Sequence, residues 1–331
     1  MTAAAVAGSA WPRRSDRLVV TRAGARTVCE GWLEPAGARD FDLWISWHEA
    51  ALEIGPNAST ARSSVCEERR GGPNLAGLAA LFAERRDELA SYALIALLDD
   101  DIEIDARGLA RLFERAAAGR YLICQPALSH DSFYSHALTL AQPAMSVRHV
   151  NFVEMMCPVF RAETLLECLP LFGAGLEVGI DMLWCHLGEP RPGDHAIIDD
   201  VVVRHARPIG LRKAENGFAG GRRYEDDVAE ASARYGLERT TPLAFDGVDR
   251  RGRRRASRLA LAFAALGVAD APWRRRPVWP RLRAVLVLWV RTATRPARYR
   301  RLSVGGAFGR ATEGVRGPCP AGTARPEDEA V

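Results

Sequence analysis

The sequence predicts an α/β fold, a mostly parallel sheet flanked by helices, with a basic appendage behind it. Three observations lead there. Residues 94–98 are five apolar residues in a row, the pattern of a central strand covered on both faces. Leu75, Leu78, Leu81, Phe82 and Leu89 before that run, and Leu109, Leu112, Phe113 and Ala116 after it, recur at helical spacing. A further apolar run then follows at 121–124, and strand, helix, strand in alternation favours parallel pairing with helices on the faces.

In chain order, residues 18–20 read as a short buried strand followed by a turn, and 42–47 as a second strand. The stretch 51–73 is polar and rich in Gly, Pro and Ser, which predicts a loop. Asn74 is placed to cap the helix that follows it, and Asp105 to cap the one after the central strand, with Gly119 beyond its end. A segment rich in His and Ser occupies 129–151. Strand is expected at 152–160, helix at 162–171, a turn or two of helix at 181–187, and a last strand at 196–203. The body is expected to span 1–245, an Arg-rich helical appendage 246–301, and a disordered tail of Gly, Pro and Ala 302–331.

Composition narrows the class. At roughly 150 residues per domain, 331 residues allow one large α/β domain and an attachment, and 48% hydrophobic residues suffice for its core. No apolar run approaches the roughly 18 to 20 residues that cross a bilayer. Arg13-Arg14 follows the small apolar start instead of preceding it, the wrong order for a secretory signal, so a cytoplasmic protein is expected. Seven cysteines with no C-x-x-C pair argue against a disulfide framework.

The net charge of +4 conceals an asymmetry: 246–301 carries sixteen Arg against three Asp, while 1–245 is acidic by eight charges. Such a segment suits peripheral contact with the inner membrane face or an acidic polymer. No nucleic-acid module accompanies it, and none of the G-x-S-x-G, G-x-G-x-x-G or phosphate-loop motifs occurs.

The acids Asp99-Asp100-Asp101 close the central strand. Asp99 and Asp101, two apart on extended chain, project to one face about 6 to 7 Å apart. Oxygen ligands so placed suit Mg²⁺ or Mn²⁺, and the carboxyl ends of strands are where open α/β sheets bind ligands. Three successive carboxylates repel one another unless a cation or distant basic groups compensate. The alternative is a solvated loop in which Asp105 does the capping. Glu154 interrupts an apolar run and, once buried, requires a partner, either an acceptor or an Arg. Of Asp199 and Asp200, one faces inward and one outward by the strand period.

The string Ala96-Leu97-Leu98-Asp99-Asp100-Asp101-Ile102 resembles the D-x-D segment of GT-A glycosyltransferases, and Gly71-Gly72-Pro73-Asn74 is similar to their segment that passes the nucleotide. Farther on, Phe152-Val153-Glu154-Met155-Met156-Cys157-Pro158-Val159-Phe160, then 175–181, Ile197-Ile198-Asp199, His205 and Pro208-Ile209-Gly210 resemble the domain-of-unknown-function 707 family of plant and bacterial proteins over about residues 42–210. The acids here are Asp-Asp-Asp instead of Asp-Glu-Asp, and the aromatic residue between the glycines near Asp181 is missing.

The resemblance implies a GT-A-like fold and metal-dependent transfer of a sugar from a nucleotide-sugar donor to a hydroxyl acceptor, with inversion. It implies that Asp101 holds Mn²⁺ or Mg²⁺ with Asp99, that His205 from the late strand is a third ligand, and that Asp99 and Asp100 face the sugar nucleotide. Thr21, Arg22, Arg70 and Asn74 are placed to contact the base or a phosphate. Asp181, at a helix start, occupies the relative position of the general base, with Glu177 in reserve; its other reading is a helix cap.

Two other functions compete. A haloacid dehalogenase-type phosphatase also begins with D-x-D after an apolar strand, but it wants Thr or Val where Glu103 stands and a late Lys, for which only Lys213 is available. The other is a non-catalytic GT-A-like protein that uses its Arg-rich segment to bind acidic polymer or membrane.

Overall fold

Alternation along the buried strands builds two apolar layers, one on each side of a single sheet. In the computed structural model, which describes residues 13–48, 64–72, 74–176, 179–187, 192–208, 224–235, 241–266 and 278–295, Leu18, Val20, Ile95 and Leu97 face one layer. Val19, Leu43, Leu94 and Ala96 face the other. The strands are β1 (Arg17–Ala23), β2 (Asp42–Trp47), β3 (Cys66–Arg69), β4 (Leu94–Leu97), β5 (Ile102–Glu103), β6 (Ile123–Leu128), β7 (Met145–Val150), β8 (Val159–Arg161), β9 (His195–His205) and β10 (Ala244–Asp249). Their order is β10-β7-β9-β6-β8-β4-β1-β2-β3, with β5 paired to β9 off this path.

Only β8 and β7 run against the other strands of the path. The α/β class with a largely parallel sheet is therefore borne out. Antiparallel β8, wedged between β4 and β6, interrupts what the alternation of strand and helix implied.

The helices cover the sheet as their apolar spacing predicts. Leu75, Leu78, Leu81 and Phe82 of α1 (Asn74–Glu84) are buried, and α4 (Ala162–Phe172) packs on the same side, where Phe82 meets Phe172 edge to face with ring centroids 5.3 Å apart. The expected helix through Leu89 is split: Arg85 leaves helical geometry at φ −120°, and α2 (Arg86–Ala90) follows it. On the opposite face, α3 (Ala106–Gly119) buries Leu109, Leu112, Phe113 and Ala116. Asp105 caps it as expected, its carboxylate accepting the Gly108 N–H at 2.7 Å. Gly119, however, is the last helical residue, and Arg120 takes the left-handed turn at φ 52°. Glycine is required there by packing, since a Cβ would lie 2.1 Å from the Tyr121 ring.

Three expectations need correction. The strand expected at 152–160 is confined to β8, and the segment read as polar contains β7. β7 lies in the interior because Arg148, itself fully buried, is neutralised there: its Nε and Nη2 donate to the two Asp199 oxygens at 2.7 and 2.9 Å, and Nη2 also donates to the Leu140 carbonyl. Asp199 faces inward and Asp200 outward, as the strand period required. Part of the predicted 51–73 loop is β3, parallel to β2; residues 49–63 and Pro73 lie outside the described residues. Finally, the boundary expected at 245/246 falls within β10, which pairs with β7, so the sheet continues into the segment read as an attachment.

The remaining helices are α5 (Asp181–Trp184), α6 (Tyr224–Tyr235), α7 (Arg258–Leu266) and α8 (Val278–Thr294). α7 and α8 pack on one another, α7 against β10 and α8 against the turn Ala137–Thr139. Residues 302–331, expected to be disordered, lie outside the described residues.

Candidate functional site

The parallel register of β1 and β4 brings the chain ends of both strands together, with Val20 opposite Leu97 and the Leu98 N–H donating to the Val20 carbonyl. Asp99 therefore stands beside Thr21 and Arg22. β4 stops at Leu97, so the three acids occupy a turn and not the strand itself. That turn is fixed from the far side, because β5 pairs with the end of β9 and sets Ile102 opposite His205. One ligand atom each from Asp99, Asp101 and His205 lies within 4.8 Å of the others.

The hydrogen bonds around this triad assign each residue a distinct task. The ring Nδ1 of His205 lies 2.7 Å from the Phe133 carbonyl, which can only accept, so Nδ1 carries a proton and Nε2 faces Asp101 Oδ1 at 3.3 Å. A backbone carbonyl that fixes the far nitrogen is the usual support of a metal-binding imidazole. Burial alone would lower the His205 pKa, but the hydrogen bond and charge of Asp101, with Asp99 beyond it, raise it. Burial likewise pushes the Asp101 carboxyl up, and His205 and Arg207 outweigh it, so that it titrates below the usual carboxylate range. Asp99 is pushed up by burial and by the charge of Asp101. Around a cation with oxygen bonds of about 2.1 Å, neighbouring ligand atoms sit about 3 Å apart and opposite ones about 4.2 Å. Two carboxylates and an imidazole whose Nε2 faces them, gathered within 4.8 Å of one another, fit such an ion if the widest pair takes opposite positions and closes by about 0.6 Å.

Asp100 does different work from its neighbours. One of its oxygens accepts the Gly24 N–H at 2.8 Å and the other accepts from Arg207 Nη2, so its carboxylate ties the turn after β1 to the acidic turn instead of facing the crevice. Arg207 Nε also donates to Asp101 Oδ2 at 2.9 Å. Arg207 is the distant basic group that three adjacent acids required, and sequence reasoning missed it; its one signal was a cation two residues beyond His205.

A crevice opens from Asp99 between β1 and α1, lined by Thr21, Arg22, Asn74, Met155 and Trp184. Arg22 is almost wholly buried. Its Nη2 donates to the Arg70 carbonyl at 2.7 Å and lies 3.1 Å from His48 Nδ1, but Nε and Nη1 have no partner among the described residues. Burial lowers its pKa to about 10. The guanidinium fits only because residue 77 is glycine, since a Cβ there would lie 1.6 Å from Nη1. Thr21 Oγ1 and Asn74 Oδ1 are also buried without partners among the described residues. Buried polar atoms normally find partners, so a cluster of orphans around one crevice marks a place where a ligand would supply them. Arg70 does not join this group: its side chain pairs with Glu68 and Glu84, and only its carbonyl reaches Arg22.

Asp181 is buried at the start of α5, but as the first helical residue, since Ile180 holds the cap position. Burial pushes its carboxyl up to about 7, partly offset by backbone N–H groups of Met155 and Met182, and its Oδ1 has no partner among the described residues. Met155, whose backbone N–H bonds the Asp181 carboxylate, also lines the crevice. Glu154 has no Arg partner among the described residues. It is pushed up to about 8 by burial and then by the charge of Asp181, with side-chain hydrogen bonds to Thr139 and Ser135 opposing the shift. No spacing or motif signals that these two acids lie close to one another. Glu177 lies outside the described residues.

No family model matches the chain, and no curated protein matches it. Solved structures with a similar chain path include S. aureus TarS 1-349, at 8% identity and TM-score 0.41 over 84% of this chain and 72% of that one. The same TarS fragment in complex with UDP-GlcNAc gives 10% identity and TM-score 0.40 over 84% and 73%, and in complex with UDP 10% and 0.37 over 84% and 89%. At such identity and TM-score the likeness transfers neither activity nor substrate to this chain.

Proposed function

We propose that the chain is a metal-dependent glycosyltransferase that moves a sugar from a nucleotide sugar to a hydroxyl acceptor with inversion. The observation that carries this reading is the meeting of the Asp99, Asp101 and His205 ligand set with a crevice whose buried Arg22, Thr21 and Asn74 atoms have no partner among the described residues. A cationic donor fork and neutral polar atoms beside two carboxylates and an imidazole suit a ligand that carries phosphate and a divalent cation together. Asp99, Asp101 and His205 would hold Mn²⁺ or Mg²⁺, which when bound offsets the charge that grows on a departing diphosphate. Arg22 Nε and Nη1 would bind the phosphate or base, and Thr21 and Asn74 would orient it.

Asp181 would take the proton from the acceptor hydroxyl at its unpartnered Oδ1. A base with a pKa near working pH combines a useful ionised fraction with enough basicity, and about 7 meets that condition. Glu154, protonated at neutral pH, would donate a hydrogen bond that orients the acceptor. The test is a thermal-shift screen of nucleoside diphosphates with and without Mn²⁺ and Mg²⁺. Stabilisation by one nucleotide that depends on the metal supports the reading, and no stabilisation by any of them removes it.

A further inference from the structure

We infer that the α7/α8 helix pair is a docking face for an anionic lipid bilayer. This inference is independent of the transferase reading. Among the described residues the large apolar side chains left exposed are Val202 and seven others, and all seven are on these two helices. They are not scattered. Leu259, Phe263 and Leu266 recur at helical spacing on α7, and Trp279, Leu282, Leu286 and Val290 on α8. Trp279 is 81% exposed, Phe263 63% and Leu286 60%. The opposite sides of the helices are already occupied: Leu261, Ala262 and Ala265 of α7 and Val285 and Leu288 of α8 are buried, where the pair leans on β10 and on the turn Ala137–Thr139. The outward stripes are thus surplus to folding, and exposed large apolar side chains gathered on two helices that pack on one another mark an interaction site.

Charge selects the occupant. From 250 to 301 the sequence holds sixteen Arg and one acid, Asp270. Part of this charge is spent within the body, where Arg254 pairs with Asp246, and Arg253 and Arg255 with Asp249. Arg258, Arg283, Arg291 and Arg295, on or next to these helices, are exposed and without ion pairs among the described residues, and Arg283 and Arg291 line with Trp279 the groove between α8 and residues 134–138. A second copy of the chain would set these arginines against their own counterparts, whereas an anionic headgroup layer neutralises them while its acyl boundary accepts the Trp, Phe and Leu side chains. No helix of the described residues is long and apolar enough to cross a membrane, so the pair lies on the surface. The turn between Phe133, which fixes His205, and Leu138 faces α8, so the docked face is one short segment from the carboxylate turn.

The test is co-sedimentation of the full chain with phosphatidylcholine vesicles, with and without phosphatidylglycerol, at about 0.1 M and about 1 M salt, where the Debye length falls from about 10 to about 3 Å. The wild type is expected to prefer the anionic vesicles about tenfold or more at low salt. Phe263→Ser with Leu286→Ser is expected to weaken that binding about tenfold with unchanged thermal unfolding. Trp279→Ala, at the most exposed position, serves if the double variant does not fold. Absence of a preference for anionic vesicles at low salt overturns the inference. So does unchanged binding by the folded variants, which would mean attraction by charge alone that any acidic polymer satisfies. A wild-type dimer in sedimentation that these variants dissociate also overturns it, because a second copy would then cover the face.

Discussion

Replacing Gly77 by Ala separates the fold of α1 from the use made of its surface. In a helix interior Ala is favoured over Gly by about 1 kcal/mol, so the change should by itself stabilise α1. The new Cβ would lie 1.6 Å from Arg22 Nη1 and 2.3 Å from its Cζ, separations that no packing tolerates, and the guanidinium must leave. Leaving costs its hydrogen bonds to the Arg70 carbonyl and His48, each worth about 1.5 to 3 kcal/mol for a charged donor. It also relieves the burial that lowers the pKa of Arg22 to about 10, which offsets part of that cost. These opposing effects leave a net loss of stability of no more than about 1 to 3 kcal/mol. Ligand binding has no such compensation. A nucleoside diphosphate that uses Nε or Nη1 loses at least one charge-assisted bond, so its affinity falls about 10- to 150-fold. Calorimetric titration of the metal-loaded protein measures this, with thermal unfolding run beside it, on Gly77→Ala, Arg22→Met and the double variant. If the glycine acts through Arg22, the double variant binds no worse than Arg22→Met alone. Wild-type affinity in Gly77→Ala, or losses that simply add in the double variant, would refute the reasoning.

Asp181→Asn should lower transfer about 10²- to 10⁴-fold with nucleotide binding retained, as measured by initial rates and titration; a loss within threefold, well below about 10², would remove Asp181 from the chemistry. The same variant reports on burial. Because the folded state raises this carboxyl from 3.8 to about 7, the folded chain holds more protons than the unfolded one in that window, and wild-type stability falls as pH rises through it. Relative to its difference from wild type at pH below about 4, Asp181→Asn should therefore gain roughly 4 kcal/mol by pH 8, read from urea unfolding across pH. Arg148→Met leaves the Asp199 charge buried without its partner and should cost about 3 to 5 kcal/mol in urea unfolding. A change below about 1 kcal/mol would show that water or another cation replaces it.

The legible parts of the sequence were those whose causes are local. Five apolar residues ended by three acids announced β4, although acids expected on extended chain lie in a turn, and Asp105 announced the start of α3. The meeting of Asp99, Asp101 and His205 was legible only in part: the two acids stand two apart after a buried run, while His205 was placed by the resemblance, and the sheet brings the three within 4.8 Å of one another. The rest depended on partners far along the chain. Arg207 meets Asp101 across 106 residues, and no spacing rule links them. β7 was obscured because its buried Arg148 is polar in sequence and is made tolerable only by Asp199, 51 residues away. The helix break at Arg85 and the closeness of Glu154 to Asp181 have no periodic signature either. The boundary at 245/246 came from a jump in charge, yet Asp246 and Asp249, inside the basic segment, are strand acids that hold Arg253, Arg254 and Arg255 against the sheet edge.

The middle acid of the turn tests whether three neighbouring carboxylates divide their labour as the hydrogen bonds indicate. Asp100 offers no free oxygen to a cation: Arg207 Nη2 takes one and the Gly24 N–H takes the other. Asp101 is shared differently, with Arg207 Nε on Oδ2 and His205 Nε2 facing Oδ1. Replacement by Asn at either position removes one charge and turns one acceptor into a donor. At Asp100 that donor must face either a backbone N–H or a guanidinium, both of them donors themselves, so one of two charge-assisted bonds is lost and the turn after β1 is loosened. The expected cost is about 1.5 to 3 kcal/mol of stability. Metal-dependent nucleotide binding should change by less than about threefold, because Asp99, Asp101 and His205 remain in place. At Asp101 the order reverses: metal-dependent binding is abolished, while stability falls less than the loss of a carboxylate would suggest, since the repulsion that raises the Asp99 pKa is relieved at the same time. Thermal unfolding and titration with Mn²⁺ and a nucleoside diphosphate, run on both variants, give four numbers. Should Asp100→Asn lose metal-dependent binding as completely as Asp101→Asn at unchanged stability, Asp100 is a ligand, and the turn must rearrange on binding in a way that frees it from Arg207.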